Sequence, residues 1–375
     1  MQDITSDHDA RMEEIRGIEV IAMRILEAAR RLGMTTRTIR YYEERGLIEL
    51  NKQADNGYRE VTENDLSVLQ VIGMLRELDL SIEDIQLCLE DVLQSNLKAL
   101  IPLLQRKREQ LGKEMVQMKL LIRQMDQLTA HLQHNKGDDT MNEMSSITER
   151  SKMLKQLREG WEDRWNFNDQ SLHYDLAVKR HEDPLDVHAN YDEILRRTCE
   201  SASIECGEQG LDLGIGTGNL AALCSAKGAV MTGLDQSEGM LMQCQRKHPD
   251  FKLLLGNMME LPLVDEKFDF VVSSYALHHL TDEQKLVALE EIDHVLKPAG
   301  RVVVADLMFE SEDARIHCMK RLEEAGRQDK IDDIHDEFYA DRSRLISWWL
   351  NHGYEVQAEQ MNAFMHLICA IKKEA

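Results

Sequence analysis

The sequence predicts a chain of several domains: a small helical module, a long helix, and an α/β domain with a doubly wound parallel sheet. Short amphipathic helical patterns fill residues 24–91, and residues 94–133 hold one glycine and one early proline. From about Gly210 strands alternate with helices, which is typical of a parallel sheet with crossover helices. The predicted segments are an acidic extension (1–22), the helical module (23–92), the long helix (93–134), a linker (135–155) and the α/β domain (156–375).

Charge is distributed unevenly along the chain. The formal net charge of −23 argues against a protein that binds nucleic acid over most of its surface. Residues 24–59, however, contain eight basic and five acidic side chains, which leaves a local charge of +3. Any binding to DNA is therefore expected to be confined to this module.

The cysteines and the apolar residues indicate the compartment. Seven scattered cysteines without a Cys-x-x-Cys pair suit a reducing cytoplasm and favour neither a disulfide framework nor a thiolate metal cluster. The chain has no run of about 18 apolar residues, and its acidic start does not resemble a secretion signal. We predict a cytoplasmic protein with no membrane span and no metal site.

The helical module contains a helix, a tight turn and a second helix rich in arginine and tyrosine. Residues 25–33 form an amphipathic pattern that ends at glycine, and the hydroxyls of residues 35–36 suit the N-cap of a helix over 37–45. This pattern favours a helix-turn-helix whose second helix enters the major groove of DNA. An ordinary basic surface helix is the alternative.

A wing is expected after the second helix, because Asn56-Gly57 is a tight-turn signal for a hairpin. The motifs that follow one another here are Arg37-Thr-Ile-Arg-Tyr-Tyr-Glu43, Gly46-Leu47, Gly57-Tyr-Arg59, Asp65-Leu66 and the run from Leu78 to Ile85. Together they resemble the MerR family of transcriptional regulators, which implies a dimer that binds an inverted repeat in promoter double-stranded DNA and distorts it. The DNA contacts that this resemblance implies are Thr36, Arg37, Arg40, Tyr41, Tyr58 and Arg59.

The long helix carries a heptad repeat. Leu104, Leu111, Met118, Met125 and Leu132 recur every seven residues, and Ile101, Met115 and Ile122 occupy the alternate core position. Sustained spacing of this kind indicates a coiled coil, which we interpret as the dimerisation helix of a homodimer. A long helix packed on its own domain is the alternative. No cysteine lies within 94–135, so the thiolate ligands of metal-sensing MerR proteins are missing.

The α/β domain is expected to hold five core strands. They are predicted at 210–213, 229–234, 252–255, 268–274 and 301–305, and residues 354–371 are expected to add a closing strand pair. Gly214, Gly216 and Gly218 follow the first strand, where such a sheet lets a ligand approach the backbone. Asn219 takes the place of the third glycine of a dinucleotide fingerprint, so NAD fits less well.

From about Trp161 onward the chain resembles the Rossmann-like class I S-adenosylmethionine-dependent methyltransferases. The features that carry this resemblance are the ordered strands, the glycine loop, Asp235, Asn257-Met258 and Lys297-Pro-Ala-Gly300. The resemblance implies S-adenosyl-L-methionine as the cofactor. It implies cofactor binding by Asp212, Gly214, Gly216, Gly218, Asp235, Gln236, Asn257, Met258 and Ser274. Asp235 would hold both ribose hydroxyls, unless it only forms a turn. Asn257 stands where most relatives have aspartate.

Methyl transfer from a sulfonium needs mainly positioning and desolvation, and a general base helps only when the nucleophile arrives protonated. The candidate catalytic residues are His278, His279 and Tyr275, which follow the fourth strand. Packing or capping at a helix start is the alternative for both histidines. Residues 161–165 and 173–175 resemble lid helices that cover the cofactor, with core packing as the alternative. Substrate contact or a core or surface position remains open for Tyr339, Trp348 and His317.

The substrate class follows partly by exclusion. DNA amine methyltransferases carry an Asp- or Asn-Pro-Pro-aromatic motif after the fourth strand, whereas residues 273–276 are Ser-Ser-Tyr-Ala. The C-terminal motifs are especially similar to the small-molecule branch of the methyltransferase family, which implies a small molecule as the methyl acceptor. We predict a promoter-binding dimer that also methylates a small molecule. The alternative is a transcription factor whose methyltransferase-like domain only senses S-adenosylmethionine or another ligand.

Overall fold

The computed structural model describes residues 23–52, 57–134, 140–179, 185, 187–263 and 266–373. The predicted acidic extension, Asn56 of the predicted turn and the side chain of Leu132 in the predicted heptad lie outside this description. The chain forms two compact units, Met1–Leu111 and Gly112–Ala375. The division falls within the long helix rather than at the predicted linker. The second part of that helix buries Val116 and therefore belongs to the second unit.

The first unit is a helical module with a small antiparallel sheet. Its helices are α1 (Ile25–Arg31), α2 (Thr36–Glu44), α3 (Glu63–Glu77) and α4 (Ile82–Leu93), and its strands are β1 (Met23–Arg24), β2 (Asn51–Lys52) and β3 (Arg59–Val61). The Thr35 hydroxyl accepts the Thr38 N–H at 3.0 Å and caps α2 as predicted. Strands β2 and β3 are the expected hairpin, and β1 pairs with β3, so the module is not purely helical.

The long helix α5 spans Leu100–His134 and begins seven residues later than the predicted start at residue 93. The delay has a local cause, because Ser95 adopts a positive φ of 60° that is incompatible with a helix. The prediction of a linker at 135–155 is wrong for most of that range, since α6 spans Thr140–Glu159. Residues 140–159 contain neither glycine nor proline, and polarity alone does not interrupt a helix.

The second unit is built on one large sheet. Its strands are β4 (Gln209–Leu213), β5 (Val230–Asp235), β6 (Lys252–Leu255), β7 (Phe268–Ser274), β8 (Leu296–Phe309), β9 (Ala340–Asp341), β10 (Tyr354–Gln360) and β11 (Met365–Lys372). The order is β10-β11-β8-β7-β4-β5-β6, with β9 beside β8. The strands from β8 to β6 are parallel, and the closing pair β10 and β11 is antiparallel. The chain order reverses between β4 and β7, and ligands of open α/β sheets bind at such a point.

Helices cover both faces of this sheet. They are α7 (Phe167–Gln170), α8 (Tyr174–Ala177), α9 (Tyr191–Ser201), α10 (Asn219–Ala226), α11 (Glu238–Lys247), α12 (Asp282–Val295), α13 (Glu312–Glu324), α14 (Gln328–Asp336) and α15 (Arg342–Asn351), with a 3₁₀ turn at Leu277–His279. Residues 161–165, expected to be a lid helix, are not helical. Asp163 instead accepts the backbone N–H groups of Trp165 and Asn166, and so holds this segment as a turn. Among the described residues, no helix is both long and apolar enough to cross a membrane.

Candidate active site and nucleic-acid interface

The loop after β4 leaves open space beside its backbone. Gly214, Gly216 and Gly218 all have positive φ, a conformation that glycine adopts without strain. A Cβ at Gly214 would lie 2.5 Å from the Cβ of Ala276, so only glycine fits there. A Cβ at Gly216 would meet nothing within 4 Å. Gly216 therefore borders a space that a ligand can fill.

A carboxylate stands at the edge of that space. Asp235 ends β5, next to β4 in the sheet, and its Oδ2 accepts the Gly216 N–H at 2.8 Å. Its Oδ1 accepts the Ser237 N–H at 2.9 Å. Burial raises the pKa of the Asp235 carboxyl to about 6, so the group is still mainly ionised at neutral pH. Each oxygen keeps a lone pair for a further donor such as a ribose hydroxyl.

The loop and the carboxylate border a cavity that is partly open to solvent. Eight residues predicted for the site line it: Gly214, Gly216, Asp235, Gln236, Asn257, Met258, Tyr275 and His279. Trp161 and Tyr174 line it from the predicted lid segments. Sequence reasoning missed Phe167, Leu234, Met240, Gly256, Ala276 and Leu280, which also line it. They are apolar or glycine residues that carry no chemical signal, so only the fold places them here.

Four predicted site residues lie outside the lining. Asp212 is buried within β4, where burial raises the pKa of its carboxyl to about 8. Gly218 is the N-cap of α10, and a Cβ there would lie 2.7 Å from Cys244 Sγ. Ser274 ends β7, and the chain then turns at Tyr275, whose φ is +52°. The fourth residue, His278, is buried and contacts Asp306.

Asn257 is partly engaged by its own backbone. Its Oδ1 accepts the Met259 N–H at 2.9 Å. The family resemblance implies that this same oxygen accepts a hydrogen bond from the adenine amino group. One lone pair of the oxygen remains for such a bond.

Asp175, from the predicted lid, ties α8 to the glycine loop. Its carboxylate accepts the Thr217 hydroxyl at 2.6 Å, the Asn219 amide at 2.9 Å and Lys247 Nζ at 2.8 Å. Burial opposes ionisation, but these donors outweigh it and lower the pKa of the Asp175 carboxyl. The predicted lid segment is thus anchored by a charge network that joins residues distant in sequence.

The two histidines have different surroundings. The His278 Nδ1 lies 2.6 Å from Asp306 Oδ1, and Asp306 Oδ2 accepts the backbone N–H groups of Ala276 and Leu277. Burial alone would lower the pKa of His278, but the Asp306 charge outweighs it and raises that pKa. His279 lines the cavity and its ring lies 4.3 Å from that of Trp165. Burial and the neighbouring His278 lower the pKa of His279 to about 4, so its ring is neutral at pH 7.

The three residues left open in the C-terminal part lie outside the cavity lining. Tyr339 is buried in the core against Phe309 and Phe364. The Trp348 ring stacks on His352 at 3.8 Å. His317 is at the surface, where its Nδ1 lies 2.7 Å from the Asp313 carbonyl. The core and surface interpretations therefore fit these residues.

The predicted recognition helix α2 divides into two faces. Ile39 and Tyr42 are buried in the module, whereas Arg37, Arg40 and Tyr41 are exposed and Thr36 is partly exposed. Tyr58 is exposed beside the hairpin. Arg59 is engaged within the module, because its Nε lies 2.5 Å from Glu43 Oε2. This ion pair joins β3 to α2 and reduces the charge that Arg59 offers to DNA.

The sheet order, the glycine loop and the carboxylate at the end of β5 define a class I methyltransferase fold. Residues 211–304 match the family model of the methyltransferase domain, and residues 23–92 match that of the MerR helix-turn-helix family of regulatory proteins. The chain belongs to the methyltransferase family, and its first unit is a MerR-type domain.

Curated relatives share the methyltransferase part. An uncharacterized methyltransferase of Geobacillus thermodenitrificans (strain NG80-2) is 32% identical over 202 residues, which are 53% of this chain and 92% of that protein. Another, from Alkaliphilus oremlandii (strain OhILAs), is 32% identical over 188 residues, which are 50% of this chain and 86% of that protein. A solved structure, the magnesium protoporphyrin IX methyltransferase from Synechocystis PCC 6803 with bound SAH, is 13% identical to this chain. The match has a TM-score of 0.44 and covers 56% of this chain and 100% of that chain.

The cofactor of this family is S-adenosyl-L-methionine, and the residues of the site fit it. Gly216 leaves space beside the backbone, and Asp235 offers two acceptor oxygens at the end of the neighbouring strand. Met258 and Leu280 supply an apolar wall. The cavity thus has the polar and apolar groups that a nucleoside with a charged amino-acid tail requires.

Proposed function

We propose that this protein is a MerR-type transcription regulator that binds promoter DNA and methylates a small molecule. The observation that carries the enzymatic part is the buried Asp235 carboxylate, joined to Gly216 at the edge of an open cavity. The observation that carries the regulatory part is the exposed, cationic face of α2.

The bound cofactor supplies an electrophilic methyl group, and the protein supplies position and a dry environment. In this proposal the Gly214–Gly216 backbone lies along the methionine part, and Asp235 accepts the ribose hydroxyls. Asn257 and Met258 flank the adenine. Trp161, Phe167 and Tyr174 cover the cavity and exclude water.

Two side chains are placed to act on the acceptor. Tyr275 and His279 both line the cavity. His279 is neutral at pH 7, and because its pKa is low it is better suited to orienting a hydroxyl or amine acceptor by a hydrogen bond than to taking its proton. His278 is not in the lining, and its Nδ1 is engaged by Asp306. We therefore assign His278 a positioning role rather than a catalytic one.

Isothermal titration of S-adenosylmethionine into the full chain tests the cofactor site. We expect binding by the wild type and by Asp250→Ala, which removes an exposed carboxylate outside the site. Asp235→Ala is expected to weaken binding at least tenfold, because the ribose acceptors are lost. Equal affinity of Asp235→Ala and the wild type would contradict the assignment.

A purely sensory function is the second candidate, and the Asn257 contact favours it. The Asn257 oxygen already accepts the Met259 N–H, so the adenine site is weaker than one with two free acceptors. Transfer of a labelled methyl group to a panel of small hydroxyl, amine and thiol acceptors distinguishes the candidates. Turnover supports the enzyme, whereas cofactor binding without turnover on any acceptor supports the sensor.

Promoter binding is tested with inverted-repeat DNA from the region upstream of the gene. Arg40→Ala and Arg37→Ala each remove one exposed cation of α2, and Lys320→Ala removes one from α13 in the second unit as a control. We expect the α2 variants to bind more weakly and to lower the slope of log affinity against log salt by about 1 if the contact is to phosphate. Unchanged affinity in both α2 variants would contradict the interface.

A further inference from the structure

Two histidines and a glutamate meet beside the cofactor cavity. The His279 Nδ1 lies 3.3 Å from Glu337 Oε2, and the His278 Nε2 lies 3.6 Å from the same oxygen. The three atoms are all within 4.8 Å of one another. The two distances to Glu337 are short enough for one ion to contact the glutamate and either histidine, and the three groups together could hold a metal ion.

Two of these atoms lack a hydrogen bond. The His279 Nδ1 and the Glu337 Oε2 are both buried, and neither has a hydrogen-bond partner among the described residues. Their 3.3 Å separation does not have hydrogen-bond alignment. Buried polar atoms without a hydrogen bond are unfavourable, so this arrangement calls for a ligand between them.

The third atom is oriented by a carboxylate. Because Asp306 accepts at His278 Nδ1, the lone pair of a neutral His278 is directed from Nε2 toward Glu337. Metal-binding histidines commonly donate their other ring N–H to a carboxylate, which fixes the tautomer and the ring. Asp306 is itself held by the N–H groups of Ala276, Leu277 and Leu307.

The backbone builds the cluster from two distant parts of the chain. The 3₁₀ turn at Leu277–His279 brings the two imidazole rings to a centroid distance of 4.0 Å. The Phe338 N–H donates to the His278 carbonyl at 2.9 Å and fixes the segment that carries Glu337. The Trp161 Nε1 donates to the His279 carbonyl at 3.2 Å. The groups are thus held before any ligand binds.

We propose that His278 Nε2, His279 Nδ1 and Glu337 Oε2 bind one divalent transition-metal ion of the zinc class. With metal–ligand distances of about 2.0–2.1 Å, tetrahedral ligands are about 3.3–3.4 Å apart, close to the two distances observed here. Imidazole ligands favour zinc and its neighbours over magnesium or calcium, which prefer oxygen. Three protein ligands leave one coordination position for water or for an oxygen or nitrogen of a small molecule.

Charge balance favours the metal over a simple ion pair. The Asp306 and Glu337 carboxylates bring two negative charges to the cluster, which a divalent ion neutralises in full, whereas one protonated imidazole neutralises half. The charge of the nearby Lys285 also acts on Asp306 and His278. Its Nζ, however, donates to the Leu280 and Phe338 carbonyls at 2.5 and 2.6 Å and lies 3.6 Å from Asp282.

Metal uptake by the full chain tests the proposal without any measurement of methyl transfer. The protein is stripped with a chelator, and Zn²⁺ is titrated calorimetrically in competition with a weak chelator. Co²⁺ is the spectroscopic probe. We expect one high-affinity site per chain and the intense visible absorption of four-coordinate Co²⁺. Glu337→Gln and His279→Ala are expected to lower the affinity at least 100-fold, whereas His335→Ala, which removes an exposed imidazole of α14, leaves it unchanged.

The ligands are also identified in the wild type, so that a variant that fails to fold does not decide the matter. Zinc-edge X-ray absorption is expected to show two imidazole nitrogens together with oxygen ligands. No stoichiometric uptake, a ligand set without two imidazoles, or equal uptake by a folded Glu337→Gln variant would overturn the proposal. Loss of methyl transfer with intact Zn²⁺ uptake would instead count against the proposed enzymatic function alone.

Discussion

The Asp235 carboxylate accepts the Gly216 N–H at 2.8 Å and thereby joins the ends of two adjacent parallel strands. In the proposed function, this bond positions both the ribose acceptor and the backbone beside which the rest of the cofactor lies. These two groups are therefore positioned by the sheet itself.

Cofactor affinity is expected to depend on pH through Asp235. Ribose hydroxyls donate to the ionised carboxylate, whose pKa burial raises to about 6, so protonation competes with binding as the pH falls. We expect about tenfold weaker binding at pH 5 than at pH 7, measured by titration calorimetry. The Asp235→Ala variant serves as the control and is expected to lose this dependence. A wild-type affinity that is constant from pH 7 to pH 5 would contradict the role of the carboxylate.

Gly216→Ala is expected to separate cofactor binding from folding. The φ of +53° strains any other residue by about 1–2 kcal/mol, but the added Cβ meets no protein atom. The Cβ would occupy the space assigned to the cofactor, so we expect affinity to fall at least tenfold. Gly326→Ala is the matched control, since its φ is +64° and its Cβ also meets nothing. Equal losses of affinity in the two variants would point to strain rather than to contact with the cofactor.

Glu291→Gln is expected to destabilise the second unit. The buried Glu291 carboxylate in α12 lies 3.1 Å from Lys119 Nζ and also binds Arg123, both on α5. Loss of the anion leaves two cations without their partner, and because Arg123 is a quarter exposed we expect a loss of about 2–4 kcal/mol in unfolding free energy. Arg196→Ala, which breaks exposed pairs with Glu193 and Glu200, is expected to cost less than about 1 kcal/mol in the same denaturant titrations.

The same cluster predicts acid sensitivity. Burial opposes ionisation of Glu291, but Lys119 and Arg123 outweigh it and hold the pKa of Glu291 below its usual value. A lowered folded-state pKa contributes stability above the unfolded-state pKa, and this contribution is lost as the pH falls through the folded-state value. Glu291→Gln is therefore expected to flatten the acid limb of the stability curve. A limb as steep as that of the wild type would contradict this assignment.

Dimerisation through α5 remains a prediction, and the exposed methionines of the heptad provide its test. Met118 and Met125 are 62% and 63% exposed, while Val116 on another face is buried. The exposed face of α5 is thus available for a coiled coil, while the face that carries Val116 packs within its own domain. We expect the full chain to sediment as a dimer and Met118→Glu/Met125→Glu to sediment as a monomer. The double variant Met153→Glu/Met242→Glu, at two other exposed methionines, should leave the dimer intact. A wild-type monomer at micromolar concentration would contradict the coiled coil.

Much of the fold was predictable from local patterns. Strands β6 and β7 begin and end at the predicted residues, because apolar runs bounded by turn-forming residues have few other conformations available. Strand β8 starts earlier than predicted, at Leu296, since it pairs there with Phe268 across a register shift. The local sequence around residue 296 does not indicate this pairing, because the partner strand is distant along the chain.

The sequence by itself determined the two kinds of domain and the succession of core strands along the chain. It also determined that Gly216 and Asp235 follow or end two of those strands. The role of a loop glycine depends on its own backbone conformation, and that of a strand-end carboxylate on its spacing from the strand. Both can therefore be recognised in the linear sequence. Only the tertiary structure decided that Asp175 joins α8 to the glycine loop, that Glu291 binds α5, and that Glu337 meets the two histidines. Those contacts join residues far apart in sequence, and their energies depend on burial and distance, which exist only once the chain has folded.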